Sequence, residues 1–203
     1  MKAEDNRQRI IDAAQQLFAE RGYSQTSLGD VADAAGLLKG NLSYYFRTKD
    51  ALLASVTEAR QRALIDRLNA YLPNDAGTRD GVEAFLRMTE AEADALAQAG
   101  CPLGSLCSEL GKGDASLQGL ATDMLAAVQQ WLVRQFAKTF PPKVSREHAE
   151  YLLAVMQGAS LLAHAYRDPA PVRRQARGAR RWLGTLLVEA PVRAPRRVPR
   201  SRP

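Results

Sequence analysis

The chain is 203 residues long, 46% hydrophobic, 25% charged and 6% aromatic, with 28 Lys and Arg against 22 Asp and Glu. A chain of this size can bury a core without metal or disulfide staples, and its apolar share excludes wholesale disorder. The longest run free of formal charge, Tyr151 to Tyr166, falls short of the ~20 residues that a membrane span needs. Glu4 and Asp5 replace the apolar stretch of a secretory signal, so a cytoplasmic, non-membrane protein is expected. Two Cys and two His at unrelated spacings match no zinc pattern, and neither a metal nor a cofactor is expected.

The net charge of +6 is distributed unevenly. Residues 167–203 hold eleven Arg against Asp168 and Glu189, whereas residues 1–50 carry seven charges of each sign. A nucleic-acid role for the N-terminal part therefore has to rest on specific residues rather than on bulk charge.

Helical periodicity dominates and strand signals are nearly absent, which predicts an all-α fold of about nine helices. Ile10, Ala13, Ala14, Leu17 and Phe18 share one face of a first helix, with Gly22 as its stop. Ser27-Leu-Gly-Asp30 reads as a capping box opening a short second helix with Leu28, Val31, Ala32 and Ala35, closed by Gly36. Leu38, Leu42 and Tyr45 mark a third. Thr48 caps a long fourth helix, with Leu52, Leu53, Val56, Ala63, Leu64, Leu68 and Tyr71 on one face, that joins two domains.

After the Pro73–Gly77 loop, a fifth helix places Val82, Phe85, Leu86, Thr89, Ala93 and Leu96 inward and leaves Glu83, Glu90, Glu92 and Asp94 to water. Gly100-Cys-Pro102 breaks the pattern, and a short sixth helix ends near Gly111-Lys-Gly113. A seventh runs through Leu117, Leu120, Met124, Val128, Trp131, Leu132 and Phe136 to Pro141-Pro142. Ser145 is the expected cap of the eighth, which carries Leu152 to Tyr166, and the ninth spans Val172 to Leu187. Four Pro and five Arg in the last 13 residues predict a disordered tail over 191–203, either merely solvated or a non-specific phosphate-binding arm.

The second and third helices, joined by a glycine turn, form a helix-turn-helix candidate at Ser27–Phe46. A narrow second helix of this kind enters the DNA major groove while its flanks grip phosphates. Thr26-Ser-Leu-Gly-Asp-Val-Ala-Asp-Ala-Ala-Gly36, then Lys39-Gly-Asn-Leu-Ser-Tyr-Tyr-Phe46 and Lys49-Asp-Ala-Leu52, closely resembles the TetR family of bacterial transcriptional regulators. Phe18, Gly22 and Thr26 lie at the family's spacing ahead of this stretch.

The resemblance implies an N-terminal three-helix helix-turn-helix DNA-binding domain over 1–50 and a helical ligand-binding and dimerisation domain over 51–190. Residues carried over as DNA-binding are Thr26, Lys39, Gly40, Asn41, Tyr44, Tyr45 and Lys49. Gly40 would let backbone approach the bases, and Asn41 would hydrogen-bond a base edge or phosphate. Lys39 would be a groove-directed cation, and Thr26 and Lys49 phosphate clamps. Tyr45 fits either a DNA contact or packing, while Leu42 and Phe46 are expected in the core. Three departures bear on the operator: Leu38 stands where Ser or Thr is frequent, Ser43 where an aromatic is common, and Tyr45 in place of a frequent His.

In the second half, Gly100-Cys-Pro-Leu-Gly-Ser-Leu-Cys-Ser-Glu-Leu110 is similar to a segment of TetR regulators that respond to electrophiles or oxidants through cysteine. That resemblance favours Cys101, at a helix entrance, as a sensor; the alternative is an inert packed thiol. A reversible apolar ligand is the other expectation, in a pocket drawn from Phe85, Met88, Cys101, Leu106, Leu120, Met124, Trp131 and Tyr151, each of which is otherwise plain core. The last two helices, rich in Gly158, Ala159, Ala163, Ala176 and Ala179, occupy the family's homodimer position.

The expected function is a sequence-specific regulator, a repressor released from a palindromic double-stranded DNA operator by a small apolar or electrophilic effector. The alternatives are an architectural DNA-binding protein without ligand response and an apolar-ligand carrier that has lost DNA binding. No catalytic pattern is present: Gly111-Lys112-Gly113 fails the phosphate-loop pattern and Gly158-Ala-Ser160 lacks the second glycine of a nucleophile elbow, so an enzyme is not expected.

Overall fold

A computed structural model describes residues 2–111 and 115–189. The Arg- and Pro-rich tail expected over 191–203, and the end of the Gly111–Gly113 stop, lie outside them. The described residues form ten helices and no strand: α1 (Lys2–Arg21), α2 (Leu28–Ala34), α3 (Lys39–Tyr45), α4 (Lys49–Ala70), α5 (Thr78–Ala91), α6 (Ala93–Ala99), α7 (Pro102–Leu110), α8 (Ala115–Phe136), α9 (Pro142–Tyr166) and α10 (Ala170–Glu189). The expected fifth helix breaks at Glu92 into α5 and α6, and the rest follow the periodicity in order.

Local chemistry sets most helix starts. The Ser27 hydroxyl accepts the Asp30 N–H at 3.1 Å while the Asp30 carboxylate accepts the Ser27 N–H at 2.7 Å, a complete capping box for α2. Thr48 accepts the Ala51 N–H at 3.1 Å and starts α4. Leu38 precedes α3 with no side-chain acceptor, as its apolar chain dictates. Ser145 does not cap α9: the helix already begins at Pro142, whose missing N–H suits a first position. Ser145 lies buried in the first turn, its hydroxyl near the Phe140 and Pro141 carbonyls at 3.1 and 3.0 Å.

Two hydrophobic clusters organise the chain. The first joins Ile10, Ile11, Ala14 and Phe18 of α1 to Val31, Leu42, Leu52, Leu53 and Val56, and is closed by Leu106 and Leu110 of α7 and Met124 of α8. The second holds Val82, Phe85 and Leu86 of α5 against Trp131, Leu132 and Phe136 of α8, Leu152 and Met156 of α9, and Val172 and Leu183 of α10. Each fully buried large side chain contributes on the order of 1.5–3 kcal/mol by leaving water. Helix α4 belongs to both clusters, through Leu52, Leu53 and Val56 at one end and Leu68 at the other.

Of the acidic residues expected in water on α5 and α6, Asp94 is exposed while Glu83, Glu90 and Glu92 are half-buried, and all four are ion-paired. Arg180 of α10 donates to Glu83 at 2.8 and 3.0 Å and to Glu90 at 2.6 Å. Arg173 pairs with Asp94 at 2.7 Å, and Arg67 of α4 with Glu92 at the α5–α6 break. Burial alone would raise the Glu83 carboxyl, but its bonds to Arg180 and Arg87 outweigh that and hold it low.

Candidate functional site

The positive φ of Gly36, +66°, turns the chain between α2 and α3, and the Arg9 guanidinium secures the turn by donating to the Ala35 carbonyl at 2.6 Å. Leu42 and Phe46, 0% and 4% exposed, anchor α3 in the first cluster as expected. That anchoring leaves Lys39, Gly40, Asn41 and Tyr44 together on the outer face, with Tyr44 84% exposed and, among the described residues, nothing within 4 Å of a Cβ built on Gly40. Tyr45 is half-buried; its ring meets that of Tyr44 edge-on at 5.3 Å and its hydroxyl accepts from Asn6 at 3.5 Å. Ser43 turns its hydroxyl back to the Lys39 carbonyl at 3.3 Å.

Two of the expected phosphate clamps face inward. Thr26 is buried and its hydroxyl donates to the Gly22 carbonyl at 2.8 Å. The Lys49 ammonium donates to the carbonyls of Tyr23 and Thr26 at 2.8 and 2.9 Å and lies 4.1 Å from the Tyr23 ring centroid. Both residues thus brace the segment that leads into α2, and two of the three Lys49 donors are already engaged.

A cavity of about 250 Å³ opens between α1 and the helices α4 to α9. Of the residues named from the sequence, Phe85, Met88 and Cys101 line it. The others lie elsewhere. Leu106 and Met124 are buried in the first cluster, with Leu120 packed on it, because α7 and the start of α8 press on the helix-turn-helix unit. Trp131 is buried in the second cluster, its indole donating to Asn69 at 2.9 Å, and Tyr151 is half exposed against Trp182 at 4.9 Å. Missed from the sequence were Arg60, Leu64 and Arg67 on α4, Val128 on α8 and Leu153 and Met156 on α9. The signal was present in part, since Leu64, Val128, Leu153 and Met156 sit on the apolar stripes of their helices.

Neither Cys101 nor Cys107 is held in a disulfide. Cys101 precedes α7 in extended geometry with Pro102 at the first helical position, as the sequence predicted. Burial, and then the neighbouring Cys101, push the Cys107 thiol up. Among the described residues there is no group of three or more His, Cys, Asp or Glu placed to hold a metal, and no helix is long and apolar enough to cross a membrane.

On α9 and α10, Ala159, Ala163, Ala176 and Ala179 are buried in the second cluster, so these small residues serve packing within the chain. What α9 leaves outside is larger: Leu161, Leu162 and Tyr166 are 68%, 43% and 69% exposed.

Comparison with known proteins places this arrangement. The family model "Bacterial regulatory proteins, tetR family" matches residues 10–56, and "Transcriptional regulator LmrA/YxaF-like, C-terminal domain" matches 79–178. The HTH-type transcriptional regulator AcrR of Shigella flexneri is 40% identical over 57 residues, 28% of this chain and 26% of that one. The HTH-type transcriptional repressor KstR2 of Rhodococcus jostii (strain RHA1) is 30% identical over 89 residues, 44% of each. The chain thus spans about a quarter and under a half of these two relatives. A TetR transcriptional regulator from Chloroflexus aurantiacus J-10-FL shares the fold over 90% of this chain and 96% of that structure, with a TM-score of 0.77 at 23% identity. The two family matches span the helix-turn-helix unit and most of the cavity-bearing helices, and the chain belongs to the TetR family of bacterial regulatory proteins.

Proposed function

We propose that this chain is a sequence-specific DNA-binding regulator of transcription, a homodimeric repressor whose operator affinity falls when a small molecule enters the cavity. The observation that carries this is the division of α3: Leu42 is buried while Lys39, Gly40, Asn41 and Tyr44 stand together outside. A helix fixed by one face and offering a cation, an amide and an aromatic on the other suits base edges and phosphates of a major groove. In this reading Thr26 and Lys49 act chiefly by holding the turn that orients α2 and α3. The exposed Leu161, Leu162 and Tyr166 on α9 are the surface for a second copy, which would set two recognition helices on a palindrome about one turn of DNA, ~34 Å, apart.

The test is fluorescence anisotropy on duplex DNA from beside the coding region and on random duplex, at several salt concentrations. A regulator binds one such duplex about a thousandfold or more tighter than random DNA. Equal affinity for both at every salt concentration is the behaviour of a coating protein and overturns the proposal.

Cys101 on the cavity wall favours a second form of the signal, a reactive electrophile. Thiol alkylation that abolishes DNA binding in the wild type and not in Cys101→Ser supports it; survival of binding after alkylation leaves reversible ligands alone.

A further inference from the structure

Three charged side chains line the cavity: Arg60, Arg67 and Glu92. Arg67 and Glu92 form an ion pair and cancel. Arg60 remains. It projects from the middle of α4, is half-buried, and donates to the main-chain carbonyl of Gln15 on α1 at 2.8 Å. Among the described residues no carboxylate pairs with it. Burial lowers its pKa from the ordinary value, although an arginine keeps its charge in any protein environment. The cavity therefore carries one uncompensated positive charge at the end that adjoins α1.

Around that charge the wall is apolar, through Leu64, Phe85, Met88, Val128 and Met156. The lining hydroxyls are already spent, with Thr89 donating to the Phe85 carbonyl and Ser160 to Met156, at 2.8 and 2.9 Å. A cation half-buried in such surroundings has lost part of its hydration, which an anion meeting it would offset. A guanidinium has five donors in a planar fork, of which one bond is accounted for, and a carboxylate is the group that matches the fork with two parallel bonds. A cavity of about 150 Å³ accommodates benzene, so the 250 Å³ here has room for a larger body.

We infer that the cavity is a binding site for amphipathic monoanions, aromatic or short acyl carboxylates, with the Arg60 guanidinium holding the carboxylate and the apolar wall holding the body. This rests on the small-molecule response proposed above and names the chemical class of the effector. Because the same guanidinium also holds the Gln15 carbonyl, a carboxylate that re-orients it bears on that bond, and the α4–α1 link is where occupancy reaches the DNA-binding unit.

The test contains no DNA, so its outcome is independent of whether an operator is found. The full chain at neutral pH is titrated calorimetrically with 2-naphthoate and with 2-naphthamide, which differ in charge and hardly in shape. The wild type is expected to bind the carboxylate about tenfold or more tighter than the amide. Arg60→Met is expected to bind the two alike, with the amide's affinity unchanged, and Arg60→Lys to keep a smaller preference for the anion. Equal or tighter binding of the amide by the wild type, or no binding of 2-naphthoate, overturns the inference without any variant having to fold. A preference that persists in folded Arg60→Met overturns it too. If operator binding is demonstrated and 2-naphthoate shows no preference, this inference falls and the regulatory function stands.

Discussion

The Glu109 carboxylate of α7 accepts the main-chain N–H groups of Tyr23 and Ser24 at 2.9 and 2.6 Å, tying the cavity-bearing helices to the turn between α1 and α2. Gly22 makes this possible: its φ of +85° bends the chain after α1, and a Cβ there would lie 3.1 Å from the Glu109 carboxylate. Burial alone would raise the Glu109 carboxyl, but its bonds to Ser24 and Tyr23 and the nearby Lys49 hold it low. Helix α7 starts beside Cys101 on the cavity wall and ends beside Glu109, so a movement at one end is felt at the other.

Glu109→Ala should therefore loosen the turn without unfolding the body of the protein. Amide hydrogen exchange at Tyr23 and Ser24 is expected to accelerate, while protection in α8 and α9 stays as it was. In the wild type the depressed carboxyl adds stability above its unfolded pKa, and this is lost as the pH falls through the lower folded value. Unchanged exchange at Tyr23 and Ser24 in the variant argues that the contact contributes nothing.

Asn41 and Lys49 should separate when each is replaced by Ala. Asn41 is exposed, so Asn41→Ala is expected to shift stability by no more than about 0.5 kcal/mol. It should cost about 1–3 kcal/mol of specific DNA affinity. Lys49→Ala removes a donor from two carbonyls and should lower the melting temperature as well as DNA affinity. Anisotropy and thermal melts on both variants decide the matter; full operator binding by Asn41→Ala removes it from the reading surface.

Gly81→Ala tests the approach of α5 to α8. A Cβ at Gly81 would lie 2.7 Å from Cβ of Gln135 and 2.6 Å from its Cγ, too near the root of that side chain for a simple rotation. Gain in helix propensity is at most about 1 kcal/mol, and the overpacking should exceed it, for a net loss of about 1–2 kcal/mol. Urea denaturation reads this directly, and a stabilised variant would show that the helices part at no cost.

His148 should make the fold acid-sensitive. Its ring lies 5.0 Å from Phe140, 5.5 Å from Phe136 and 5.6 Å from Trp182, with a buried Nε2 that has no hydrogen-bond partner among the described residues. Burial lowers its pKa, against a smaller opposing pull from Glu147. Well above the unfolded value of ~6.5 neither state binds the proton, and the residue has no effect on pH dependence. As the pH falls through that value the unfolded chain takes up a proton that the folded chain refuses, and stability declines. His148→Phe should flatten this decline in melts between about pH 7.5 and pH 5.5. An unaltered slope assigns the acid sensitivity to other groups.

Much of the fold was legible because its determinants are short-range. The Ser27–Asp30 box, the Thr48 cap, the glycine turn at Gly36 and the burial of Leu42 and Phe46 depend on residues three or four apart, where backbone geometry leaves few alternatives. The outward set Lys39, Gly40, Asn41 and Tyr44 follows from the same periodicity once Leu42 is inside. Periodicity also marked the apolar face of α8, but it carries no information on which of two apolar clusters a face will join. Leu106, Leu120 and Met124 therefore went to the helix-turn-helix unit, while Leu64, Val128 and Met156 took the cavity.

Charge shows the same division more sharply. Glu83 and Glu90 read as solvated because their partner, Arg180, lies 97 and 90 residues further along the chain. Glu109 meets Tyr23 across 86 residues, and Arg60 meets Gln15 across 45. The sequence alone determined most of the helices, the Ser27 and Thr48 caps and the surface offered by α3, since these are settled within a turn or two of backbone. Tertiary packing alone decided which cation beside the apolar cavity has no carboxylate partner among the described residues, since that depends on where every other charged helix face comes to rest.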